Sequence, residues 1–292
     1  MSFISHLIGG LSLGSIYALI ALGYTMVYGI AKMLNFAHGD VIMVGAFTLF
    51  TAVSTWNTPA WLAILVAMLT CTILGVLIEK IAYKPLRNAS PLAVLITAIG
   101  VSYFLQSVAL LIFGSTQKAF PDLFHLSPIR LAEGLTIKGE SALTLVVTFV
   151  IMVGITLLIN KTKIGKGMLA VSEDRGAAQL MGVNVNRTIS ITFAIGSALA
   201  AIAGLFYGMT YGFVGPYTGA MPGIKAFVAA VLGGIGSVPG AMLGGILLGV
   251  IENLSKAYIS PELSDAIVFG VLIVILLVKP SGLLGKKTSE KV

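Results

Sequence analysis

From Leu7 to Ala31 no residue carries a charge, and from Val41 to Ile78 none does either. A bilayer core about 30 Å thick needs about 20 apolar residues to be crossed as a helix, because each residue rises only about 1.5 Å. Runs of this length recur along the chain: Leu7–Ile30, Gly39–Trp56, Trp61–Ile81, Leu92–Phe113, Ala142–Asn160, Ile189–Tyr211, Ala226–Ile251 and Leu263–Lys279. They predict an all-α polytopic membrane protein with about eight hydrophobic helical segments. Composition agrees: 10% of the residues are charged, against roughly 25% in soluble domains.

The net charge of +7 does not point to nucleic acid. The basic residues are spread over the ends of apolar runs, which is how membrane orientation is encoded. Residues 79–87 carry Lys80, Lys84 and Arg87 against Glu79, and 161–188 carry Lys161, Lys163, Lys166, Arg175 and Arg187 against Glu173 and Asp174. The tail carries Lys279, Lys286, Lys287 and Lys291 against Glu290. All three read as cytoplasmic. The balanced stretch 114–140 and the acid-rich stretch 252–265 read as external, which puts the N-terminus outside and Lys32–Asp40 near the cytoplasmic face. The N-terminus lacks a basic leader and a small-residue cleavage site, so the first run reads as a retained membrane segment.

These sides leave Ala226–Ile251 unable to cross once. Its middle, Gly233-Gly-Ile-Gly-Ser-Val-Pro-Gly240, is rich in helix breakers, so the run is expected to be a broken pair that dips into the membrane and returns. The rival is two tilted short helices that place 252–265 inside. Glycines four residues apart (Gly10 and Gly14; Gly204, Gly208 and Gly212; Gly240 and Gly244; Gly245 and Gly249) predict close helix crossings, mostly within the bundle.

Several chemistries have no footing. The Gly-Lys pairs, Gly165-Lys166 and Gly285-Lys286, lack the spacing of a phosphate-binding loop. No His/Cys set has metal-ligand spacing, no cofactor motif occurs, and Cys71 reads as a small buried hydrophobe. A membrane enzyme is not expected. Energy for active transport would come from another subunit or an ion gradient.

Two constellations carry the functional reading. The first is the break Lys32-Met-Leu-Asn-Phe-Ala-His-Gly-Asp40, where Asn35, Phe36, His38, Gly39 and Asp40 either border a translocation path or form an ordinary interfacial turn. Gly233, Gly234, Gly236 and Pro239 resemble it in kind, as irregular backbone between short apolar halves, and join it as candidate path or gate residues. The second is the loop 161–188. A short helix over Ser172–Met181 is expected, with Ser172 as cap, Glu173 and Asp174 in the first turn, Ala177, Ala178, Leu180 and Met181 as an apolar surface, and Gly182 as its end. It is either a solvated connector or a docking knob for a cytosolic partner.

Five stretches resemble the permease subunits of the branched-chain amino acid ABC importers, of the LivH type. They are Gly14–Gly29, Asn35-Phe-Ala-His-Gly-Asp40, Glu79-Lys-Ile-Ala-Tyr-Lys-Pro-Leu-Arg87, Glu173–Gly182 and Lys225–Met242. The likeness covers nearly the whole chain. Asp40 stands where relatives often carry glutamate, which keeps the acid. The resemblance implies one transmembrane permease domain over residues 1–292 in a bacterial inner membrane. It implies a second permease subunit of the LivM type, two cytosolic ATP-binding subunits and an external substrate-binding protein that delivers leucine, isoleucine or valine. It also implies that Ser172, Glu173, Asp174, Arg175, Ala177, Ala178, Leu180, Met181 and Gly182 couple the chain to the ATP-binding subunits. Related permeases carry urea, short amides or other amino acids. A self-sufficient channel or secondary carrier built on His38 and Asp40 is the alternative from another class.

Overall fold

The computed structural model describes residues 2–87, 89–124, 126–132 and 135–285. The basic tail residues Lys286, Lys287 and Lys291, together with Glu290 and Glu133, lie outside them. The described chain is helical in the order α1 (Ser2–Ala31), α2 (His38–Ser54), α3 (Ala60–Ile78), α4 (Pro91–Phe113), α5 (Gly139–Lys161), α6 (Lys163–Glu173), α7 (Arg175–Leu180), α8 (Val185–Tyr211), α9 (Ala220–Gly233), α10 (Val238–Tyr258) and α11 (Ser264–Val278). α3 runs on through a wide turn at Glu79–Tyr83 and a tight one at Lys84–Leu86. Among the described residues, six helices are long and apolar enough to cross a membrane; α2, α9 and α11 are shorter apolar helices.

α1 is the axis of the bundle. Its apolar stretch is 78% covered by protein, against 22% for α4 and 17% for α5. α4 and α5 are therefore the exposed rim of this chain. The axis is built on absent side chains: a Cβ on Gly249 would lie 2.1 Å from the Gly14 amide nitrogen, one on Gly245 would lie 2.4 Å from that of Ala18, and one on Gly10 would lie 2.8 Å from Val250 Cα. Here α1 and α10 meet backbone to backbone, as small-residue crossings in lipid require. Gly204 meets Ile42 and Ala46 on α2, and Gly244 meets Ala229 on α9, in the same way. The four-residue glycine spacing thus serves packing within the chain at these positions, while Gly212 meets nothing and ends α8 in the left-handed region.

Ala226–Ile251 divides as expected into two helices, α9 and α10, but its depth differs from the expectation. The breakers occupy only the tip, Gly234 to Ser237. Ser237 caps α10 by accepting from the Gly240 amide, and Pro239 is accommodated in the first turn of the helix. α10 is therefore a full span rather than a short half. The tip reaches the level of Gly29 near the C-terminal end of α1, where a Cβ on Gly29 would lie 3.1 Å from Gly236 Cα. There the tail closes it: the amides of Leu283 and Leu284 donate to the carbonyls of Leu232 and Gly233, at 2.9 Å each. These are carbonyls that a helix end leaves without partners.

The irregular backbone instead lies before α9. Outside the bundle, β4 (Phe213–Val214) pairs antiparallel with β1 (Lys118–Ala119). From there Gly215–Gly219 drops inward to meet Gly39, and α9 starts at that depth. The stretch 114–140 also holds a hairpin, β2 (Ile129–Ala132) with β3 (Leu135–Ile137). Phe120 from this stretch plugs the space over Gly208.

Candidate translocation break and coupling helix

α1 ends at Ala31, and Lys32 turns the chain back with a positive φ of 54°. Residues 32–37 then climb beside α1, so that His38 sits against Gly23. A Cβ on Gly23 would lie 2.3 Å from His38 Nε2. Gly23 is eight residues before the end of α1, so the break rises about 12 Å into the bundle. The expected position at one end of the bundle holds for Lys32 alone, and His38–Asp40 lie deeper.

Protein partners most of the polar cluster at that depth, as a site away from bulk water requires, but His38 Nε2 is buried without a hydrogen-bond partner among the described residues. Asn35, His38 and Asp40 are all buried. Tyr83 donates its hydroxyl to Asn35 Oδ1 at 3.0 Å. His38 stacks edge-on against Tyr24 with ring centroids 4.8 Å apart. Gln106 Nε2 donates to Asp40 Oδ1 at 2.9 Å. Asp40 also lies in the first turn of α2, where the helix dipole favours a carboxylate. Phe36 packs on Phe227 of α9, with ring centroids 5.3 Å apart. Gly39 packs on Gly219 and Gly223, so the N-termini of α2 and α9 meet inside the bundle. One helix runs outward from this point and the other inward. That is the discontinuous-helix arrangement in which two half-spans can rock against each other.

The structure brings Asn35, Phe36, His38, Gly39 and Asp40 together, but Gly233, Gly234, Gly236 and Pro239 do not join them. They sit at the tip between α9 and α10 beside residues 282–285, about 9 Å further along α1 from Gly23. The partners of the break are Gly219, Gly223, Tyr83 and Gln106. Gln106 was detectable as a lone amide in the run Leu92–Phe113. Replacing it with leucine is expected to remove this donor from the Asp40 carboxylate, which keeps the Ser102 hydroxyl. Unfolding of the purified protein in detergent should then show a loss of about 1–3 kcal/mol.

The loop 161–188 forms two helices where one was expected. Thr162 caps α6, accepting from the Gly165 amide. The chain then turns extended at Asp174, with φ −153° and ψ 116°, and its carboxylate accepts from the amides of Gly176 and Ala177 to start α7. Asp174 is therefore the cap. Ser172 lies in the last turn of α6, its hydroxyl donating to the Leu169 carbonyl at 2.7 Å, and Glu173 ends that helix. Gly182 ends the unit as expected, in the left-handed region with φ 84°. Ala178 faces inward, while Ala177, Leu180 and Met181 face out, the last two at 90% and 84% exposure.

α7 is tied to the transmembrane part through charge. The Arg175 guanidinium donates to the carbonyl of Ala31, the last residue of α1 before the break. Burial, then the charge of Arg87, lowers the pKa of Arg175 from its ordinary value. Arg87 is held by Glu79, which is fully buried, and by Asn186 of α8. Ser190 donates to the other Glu79 oxygen at 2.6 Å. Beside α7 opens a basic cleft of about 700 Å³, bordered by Lys84, Arg87, Arg175, Gln179, Asn184 and Asn186.

Residues 6–276 match the family described as the permease component of the branched-chain amino acid transport system. The chain belongs to this family. Among its relatives, the high-affinity branched-chain amino acid transport system permease protein LivH of Escherichia coli (strain K12) is 44% identical over 301 residues, covering 99% of this chain and 98% of the relative. The same figures hold for LivH of Salmonella typhimurium (strain LT2) and for BraD of Pseudomonas aeruginosa. PsaBC from Streptococcus pneumoniae, solved in complex with a Fab, shares the fold of this permease at a TM-score of 0.50 and 15% identity, over 96% of this chain and 93% of that one. The permease is thus a multi-pass membrane subunit of a transporter.

Proposed function

We propose that this permease is the membrane-spanning part of an ATP-driven importer of leucine, isoleucine and valine. It would work with a LivM-type second permease, two cytosolic ATP-binding subunits and an external binding protein. The names of its relatives LivH and BraD support the substrate class. The observation that carries the mechanism is the contact of Arg175 with Ala31. α7 presents Leu180 and Met181 to the cytosol, and its first residue grips the backbone just before the break. Closure of the ATP-binding subunits on ATP pushes α7. The push reaches Lys32–Ala37 through Arg175, and the α2 and α9 halves change their angle about Gly39 and Gly219. The binding protein sets most of the selectivity.

Exposed apolar side chains on a helix outside the membrane favour a protein partner that covers them. Changing Leu180 and Met181 together to aspartate is expected to abolish co-purification of the ATP-binding subunits while the permease still folds. Normal complex formation by this double variant would remove α7 from the interface. Uptake by the permease alone in liposomes would favour the self-sufficient carrier.

A further inference from the structure

The outer half of the bundle holds a charge cluster that the coupling path does not use. Glu252 on α10 is fully buried and takes three donors. Lys225 Nζ at 2.9 Å and Lys256 Nζ at 2.5 Å reach one of its oxygens, and the Tyr17 hydroxyl at 2.8 Å reaches the other. Lys225 also meets Asp265 Oδ1, in the first turn of α11, at 2.6 Å. Two ammonium groups and two carboxylates sum to zero charge.

Bracing alone is a poor reason for such a cluster. Apolar side chains of similar volume would hold the same helices without the desolvation cost, and ionisable groups within a membrane bundle mark function by default. Exposure is graded across the cluster. The side chains of Glu252 and Lys225 are 0% and 8% exposed, those of Lys256 and Asp265 36% and 41%. The inner pair is closed, and the outer ammonium and carboxylate border a cavity of about 250 Å³ at the external ends of α10 and α11. Tyr207, Tyr211, Met221 and Pro222 also border it. Met221 and Pro222 lie within one helical turn of Gly219, so the cavity adjoins the α2–α9 break.

We propose that this cavity receives the head group of a zwitterionic aliphatic amino acid. Lys256 takes the carboxylate, Asp265 takes the ammonium, and the tyrosine and Met221 wall takes the side chain. The inference rests on the import reading and supplies its outward-facing entry site. A cavity bordered by one ammonium and one carboxylate offers a partner to each end of a zwitterion, whereas a ligand with one charge engages only one of the two.

The test uses the assembled complex in nanodiscs without its binding protein and reads leucine contact by ligand-observed saturation-transfer NMR. Isovalerate, which lacks the ammonium, and isopentylamine, which lacks the carboxylate, serve as comparisons. Saturable contact is expected for leucine, weaker by about tenfold or more for either analogue. Asp265→Asn and Lys256→Met should both lose the leucine contact, while Asp265→Glu and Lys256→Arg restore it. No leucine contact in the unmodified complex, or contact unchanged in Asp265→Asn and Lys256→Met, overturns the proposal. So does failure of both conservative variants to restore it in folded protein, the result expected of a purely structural cluster. ATP-dependent uptake in the same preparation separates the two readings. Leucine uptake without contact sinks the cavity and leaves import standing. Contact without uptake of any branched-chain amino acid sinks the import reading and leaves the site.

Discussion

Glu79→Ala is expected to destabilise the protein by about 3–5 kcal/mol, the usual cost of removing one partner from a buried ion pair. Glu79 is fully buried, and its two oxygens serve Arg87 and Ser190. Without it Arg87 keeps Asn186 but loses its counter-charge, while the positive field it exerts on Arg175 remains. The base of α3 then separates from α8, and the cleft under α7 loses its wall. Glu79→Gln keeps hydrogen-bonding capacity and should cost less. The pair Glu79→Leu with Arg87→Met should recover much of the loss, because no charge is stranded. Unfolding in detergent by heat or denaturant measures all three. A loss below about 1 kcal/mol in Glu79→Ala, the range of exposed pairs, would mean that the cluster is solvated and does not hold the cytoplasmic end.

The second large effect is expected at Gly39. A Cβ there would lie 2.4 Å from the Gly219 carbonyl oxygen, and one on Gly219 would lie 1.8 Å from that of Gly39. Both neighbours are backbone, so no side chain can swing away. Gly39→Val should therefore force α2 and α9 apart, at the upper end of the roughly 1–3 kcal/mol typical of overpacking or beyond it. Reconstituted uptake should be lost even where some folded protein survives, because the two halves can no longer meet. Gly39→Ala should fall between valine and the parent. Unchanged uptake in Gly39→Val would show that the two N-termini do not need this contact to work.

The apolar runs were legible as helices because length and hydropathy alone decide what can cross a bilayer. The division of Ala226–Ile251 was legible from its breakers, but its depth was not. Whether α10 spans depends on where Gly245 and Gly249 meet α1, and that pairing is remote in sequence. The break at Lys32–Asp40 was visible as polar residues between uncharged runs. Its counterpart at Gly215–Gly223 carries no polar cluster and reads as an ordinary external linker, so their meeting emerged only in three dimensions. In the loop 161–188, Gly182 was readable because a left-handed residue after a helix favours glycine. The start of α7 was misplaced because Ser172 and Asp174 are both good caps, and only the extended backbone at Asp174 chooses between them.

The central claim is that α7 drives the break through Arg175, and the most direct test is Arg175→Ala in the reconstituted complex with its ATP-binding subunits and loaded binding protein. ATP hydrolysis and leucine uptake are measured in the same vesicles. The account predicts that hydrolysis continues while uptake falls by about tenfold or more, within the range that loss of a typical coupling free energy produces. Uptake and hydrolysis that keep their parent ratio would contradict it.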